Sequence, residues 1–66
     1  MRYTIYTYPI NERFARIDYD EFYVTIEEAK KAVESKVTDS INCGGIDCEN
    51  KEVLLYYTNN KWGEDY

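Results

Sequence analysis

Polar and apolar positions alternate from Arg2 to Tyr8 (RYTIYTY), and the run is rich in β-branched and aromatic residues. This pattern predicts a strand, with Tyr3, Ile5 and Thr7 on one face and Arg2, Thr4, Tyr6 and Tyr8 on the other. Pro9 ends regular pairing. The alternation resumes over Arg13 to Tyr19, where Ala15, Ile17 and Tyr19 oppose Phe14, Arg16 and Asp18. These two segments are expected to pair antiparallel. The period then changes. Ile26, Ala29, Val33 and Val37 recur at helical spacing, and Ala32 widens the stripe. Thr25 with Glu28 three residues on forms a capping-box signature, so a helix is predicted from Ile26 to Val37. Glu27 and Glu28 favour the positive end of its dipole. Glu27 with Lys31, and Lys30 with Glu34, are spaced as i,i+4 pairs. Thr38, Asp39 and Ser40 read as the exit.

Cys43-Gly44-Gly45 lies in a stretch whose paired glycines predict a turn or irregular connection, with room for a short strand. Ile41 and Ile46 are expected to tuck beneath the helix. Glu52 to Thr58 (EVLLYYT) has the strongest strand pattern. Asn59-Asn60 tolerates positive φ and predicts a tight hairpin turn. A two-residue turn places Thr58 opposite Lys61, Tyr57 opposite Trp62 and Tyr56 opposite Gly63. Trp62 is then a core or hairpin anchor. The sum is one α+β domain over residues 1–66, an antiparallel β-β-α-β-β sheet with a helix on one face.

Composition narrows the function more than the fold. Sixty-six residues bury too little surface for a second domain or a sizeable pocket. Eight tyrosines are too many to bury completely, so a cluster of them is expected at the surface. Eight basic residues against 13 acidic ones leave a formal charge of −5, which argues against direct nucleic-acid binding. No apolar run approaches the roughly 20 residues of a membrane span, and MRYTIYTYPI lacks a signal-peptide core. A cytoplasmic protein with no membrane association is expected, and Cys43 and Cys48 are then free thiols.

Catalytic constellations are missing from the sequence. There is no His to act as a base or complete a Cys/His zinc site. The cysteines and serines lack an activating partner. Asp47, Glu49 and Glu52 lack the spacing of a calcium loop and read as a solvated loop. No cofactor and no metal are expected.

The stretch RIDYDEFYVT (16–25) mixes carboxylates with large aromatics. If the strand persists, Asp18 and Asp20 share a side about 6.5 Å apart, twice the strand rise. Carboxylates so spaced approximate successive phosphates of a nucleic acid. Glu21, Glu27 and Glu28 extend the track, and Glu64 and Asp65 add charge. The same acids also suit an edge strand guarded against association, or a helix N-terminus. The candidate partner-binding residues are therefore Asp18, Tyr19, Asp20, Glu21, Tyr23, Glu27 and Glu28.

The opening strand RYTIYTY, the capped helix TIEEAKKAV and the closing hairpin VLLYYTNNKW resemble, in that order, small phage-encoded anti-CRISPR inhibitors. A type I-F member is similar even to the polar turn followed by Lys and Trp. The resemblance implies a non-enzymatic inhibitor that binds a CRISPR effector and blocks target DNA, the acidic members acting as DNA mimics. It carries over no individual functional residue. The expected function is an acidic binding protein for a basic, nucleic-acid-binding partner. The chain is expected as a monomer or a homodimer, and the alternative is a structural or assembly module acting through edge-strand homodimerisation near Tyr56 and Trp62. A small transcriptional regulator comes third.

Overall fold

The computed structural model describes residues 2–48 and 53–64. Glu49, Glu52 and Asp65, three of the acids considered above, lie outside the described residues. The elements are β1 (Tyr3–Tyr8), a single 3-10 turn at Arg13–Ala15, β2 (Ile17–Asp18), α1 (Ile26–Lys36), β3 (Cys43–Cys48), β4 (Val53–Thr58) and β5 (Lys61–Glu64). They form one antiparallel sheet in the order β2-β1-β3-β4-β5, with α1 packed on β1 and β3. The α+β class stands, but the layout gains a strand and reads β-β-α-β-β-β.

The added strand is β3, and it is central. Gly44 and Gly45 do not turn the chain, and neither has positive φ. They are extended and buried, and they pair with β1 on one side and β4 on the other. Their lack of a side chain serves close approach instead. The Tyr6 ring lies over Gly45, and Val33 of α1 comes down onto Gly44. Asp47, expected in a solvated loop, is a β3 residue only 7% exposed.

The second predicted strand shrinks to two residues. Arg13–Ala15 coils into the 3-10 turn, and only Ile17 and Asp18 pair with Thr7 and Tyr6. This edge has a partner on one side only, so its alternation does not commit the backbone to a ladder.

Helix α1 follows its sequence closely. The Thr25 hydroxyl accepts from the Glu28 amide at 3.2 Å, so the first half of the capping box forms. Val37 is the C-cap rather than the last helical residue. Replacing Thr25 by alanine is expected to cost about 1 kcal/mol in a urea melt, the usual worth of such a cap. Neither i,i+4 pair forms an ion pair among the described residues. Glu34 instead accepts from the Trp62 indole N–H at 2.8 Å, and Lys30 stands over that ring. Trp62 thus ties the closing hairpin to the helix.

The main core lies between α1 and the sheet. Ile5, Ala29, Val33, Ile46 and Tyr57 are buried there, with Tyr3, Tyr19, Tyr23, Ile26, Leu55 and Trp62 around them. Each fully buried aliphatic side chain contributes about 2 kcal/mol. Tyr6, Tyr8 and Cys43 form a second cluster on the opposite face. Among the described residues no helix covers that face. The β1–β2 connection folds over it instead, placing the Arg16 guanidinium 3.9 Å from the Tyr6 ring centroid and that of Arg13 5.4 Å from Tyr8.

Cys43 and Cys48 are free and buried. They are five residues apart on one strand, so their side chains point to opposite faces about 16 Å apart along it. No disulfide spans that distance.

Candidate binding surface

The edge beyond Asp18 is built by an interruption. The Tyr19 amide still donates to the Ile5 carbonyl at 3.2 Å. Tyr3 and Tyr23 then exchange both backbone hydrogen bonds, at 2.8 and 2.9 Å. Between these anchors β1 supplies Thr4 alone, while the facing chain supplies Asp20, Glu21 and Phe22. The three residues have to bulge outward. All three are exposed.

The bulge separates the residues that a continuous strand would have aligned. Asp18 does not stand beside Asp20 on a shared strand, because β2 ends at Asp18. Its carboxylate is held by Arg16 at 2.7 Å, on the helix-free side with Tyr6. Tyr19 and Tyr23 turn the other way and are half-buried against the main core. The Tyr19 hydroxyl shares a 3.0 Å hydrogen bond with Thr7 Oγ1. These two tyrosines therefore have a structural part, with one side of each packed on the core.

Around Lys36 three of the predicted residues do come together. Lys36 Nζ sits 4.5 Å from the Tyr19 ring centroid and 3.4 Å from Glu21 Oε1. The Tyr23 hydroxyl donates to Glu21 Oε2. That bond holds the Glu21 carboxyl below its ordinary range, with help from Lys36, and pushes the Tyr23 phenol up to about 12. Glu21 is therefore a fixed negative charge near the C-terminal end of α1. Glu27 and Glu28 are exposed at the N-terminal end, about 13 Å away along the axis at 1.5 Å per residue. The acids form two groups, Asp20 with Glu21 and Glu27 with Glu28, rather than one evenly spaced track.

Among the described residues the exposed aromatics are not tyrosines. Every described tyrosine is buried or half-buried. Among the described residues the large hydrophobics at the surface are Phe14 (89% exposed), Val24 (73%), Phe22 (54%), Ile10 (46%) and Ile17 (40%). All five fall in the connection between β1 and α1. Residues 10–28 also carry six carboxylates and two arginines, so most of the chain's net charge sits there. Both arginines are turned onto tyrosine rings. One sign was present in the sequence: Phe14 falls on the polar side of its segment, with Arg16 and Asp18. Nothing local marks Val24 or Phe22 as exposed, because exposure there follows from the bulge.

Among the described residues no three acids, cysteines or histidines converge as a metal site. No described helix is long and apolar enough to cross a membrane.

Fold and surface together define a small helix-on-sheet protein with an acidic, apolar edge. Comparison of the chain with family models, curated proteins and solved structures finds no match.

Proposed function

We propose that this chain is a non-enzymatic binding protein that docks a basic, nucleic-acid-binding partner through residues 10–28 and denies nucleic acid its groove. One observation carries the reading. The exposed large hydrophobic side chains among the described residues gather on a single segment, and that segment holds most of the net negative charge. Protein interfaces combine apolar anchors with a charged rim, and the charges steer encounter with an oppositely charged partner. Phe14, Phe22 and Val24 supply the anchors; Asp20, Glu21, Glu27 and Glu28 supply the rim. The resemblance to anti-CRISPR inhibitors makes a type I-F CRISPR effector the first partner to try. The three-residue bulge interrupts the β2 edge, which disfavours pairing of two copies through it but leaves the opposite β5 edge, where the homodimer alternative lies, unaffected.

The test uses purified effector bound to labelled target DNA. Added protein is expected to displace the DNA. Substituting D20N, E21Q, E27Q and E28Q together is expected to weaken binding on the order of 100-fold at low salt, at roughly 0.7 kcal/mol per charge. It is also expected to flatten the salt dependence. F14S with F22S is expected to weaken binding at every salt concentration. If neither this effector nor any basic protein captured from bacterial lysate is released by competing DNA, the reading fails.

A further inference from the structure

The helix-free face also holds a concave feature. An open cleft of about 280 Å³ is lined by Tyr8, Arg13, Tyr56 and Thr58. Its origin lies in the register. β1 and β4 flank β3 here, and β3 presents only Cys43 and Gly45 to this face between the bulky Tyr8 and Tyr56. The Tyr6 ring fills the space over Gly45, so the low point lies over Cys43, and the flanking side chains stand as walls.

The chemistry of the walls is specific. Arg13 is exposed, and no carboxylate pairs with it among the described residues. In a chain of formal charge −5 such an arginine is a local exception. The Tyr8 ring holds the guanidinium at its rim, 5.4 Å from the ring centroid, so the fork is oriented at little entropic cost. Thr58 adds a hydroxyl and the half-buried Tyr56 adds aromatic surface, while the buried Tyr8 ring backs the guanidinium. A guanidinium fork recognises a carboxylate or phosphate in a planar, two-bond geometry, and the Tyr56 wall favours a flat ring beside it.

We infer that this cleft binds a small aromatic anion, a single flat ring carrying a carboxylate or phosphate. Arg13 lies within the segment proposed to dock a partner, but the site uses none of the acids or apolar anchors of that surface and does not depend on the function proposed for it. Its size limits affinity to the range of small ligands, about 0.1–1 mM.

Amide shifts followed by NMR test the inference, with phenyl phosphate, inorganic phosphate and benzyl alcohol as probes. Phenyl phosphate is expected to saturate, moving the amides of Tyr8, Arg13, Tyr56 and Thr58. Inorganic phosphate and benzyl alcohol are each expected to bind at least tenfold more weakly. Arg13→Gln is expected to lose at least tenfold in affinity for phenyl phosphate while leaving distant amides in place. Arg13→Lys, which keeps the charge but not the fork, is expected to fall between. Equal binding of phenyl phosphate and inorganic phosphate overturns the inference, as does an Arg13→Gln variant that binds like the parent. Absence of saturation by 10 mM phenyl phosphate, a tenfold margin beyond the expected range, overturns it as well.

Discussion

Replacing Gly45 by alanine is expected to destabilise this protein by about 3 kcal/mol, a large share of what a chain this short has to lose. A Cβ at that position meets the hydroxyl end of the Tyr6 ring and stands 2.7 Å from the Leu55 carbonyl oxygen. Neither obstacle can retreat cheaply. The carbonyl belongs to β4, and moving it parts β4 from β3. The ring is 3% exposed, stacked on Tyr8 and capped by Arg16. Gly44→Ala is expected to behave alike for a different reason. Its Cβ lies 2.5 Å from the Tyr6 carbonyl oxygen and 3.1 Å from Val33 Cγ1, so both β1 and α1 must yield. Gly63 is the control, because a Cβ there meets nothing within 4 Å. Gly63→Ala is expected to change stability by less than about 0.5 kcal/mol. Urea melts of the three variants separate the cases. Equal stability of the Gly45 and Gly63 variants would show that Tyr6 does not press on β3.

The same glycines mark the limit of what the sequence discloses. Paired glycines between polar residues have the composition of a turn, and nothing local says that a tyrosine from a strand 39 positions earlier lies over one of them. Their use is set by non-local packing. The elements that were legible are those written in neighbouring residues. Asn59 and Asn60 take φ of 51° and 62°, and the hairpin pairs Tyr57 with Trp62, Thr58 with Lys61 and Tyr56 with Gly63, as the two-residue turn requires. The rings of Tyr57 and Trp62 meet at 5.0 Å. Helix α1 begins where its cap predicts.

The candidate surface was legible in charge and not in geometry. Asp20, Glu21, Glu27 and Glu28 are exposed acids, as a binding reading needs. Asp18 is engaged by Arg16, and Tyr19 and Tyr23 are engaged by the core. The difference comes from the bulge, which reverses which side chains reach solvent. A tyrosine count suggested a tyrosine surface, but a sheet with one helix and two arginine caps has room to cover those rings. The two phenylalanines are left outside.

Arg16→Met is expected to produce the second large loss, about 2 kcal/mol at neutral pH, and the loss is expected to depend on pH. Arg16 donates to Asp18 at 2.7 Å and to Asp47 Oδ2 at 3.0 Å, and it caps the Tyr6 ring. Asp47 is the sensitive partner. It is nearly buried, and its Oδ1 has no hydrogen-bond partner among the described residues. Removing one member of a buried ion pair costs about 3–5 kcal/mol. The Arg16 side chain is 40% exposed, so water reaches this pair and the expected loss falls below that range, to about 2 kcal/mol. Burial already raises the Asp47 pKa above its ordinary value, and Arg16 only partly opposes the shift. A carboxyl raised in the folded state binds its proton more tightly there than in the unfolded chain. Its contribution is therefore fully present below the unfolded pKa and is lost as pH rises through the folded one. Without Arg16 the shift grows, and so does the loss at neutral pH. Below about pH 4, the ordinary carboxylate range, Asp47 is neutral in both states and the variant is expected to recover most of its deficit. Adding Asp47→Asn to the variant is expected to recover it at neutral pH as well. Denaturation of parent and variants at pH 7 and pH 3.5 decides the matter. A deficit of equal size at both values would assign Arg16's contribution to its contact with the Tyr6 ring, leaving the ion pair without weight.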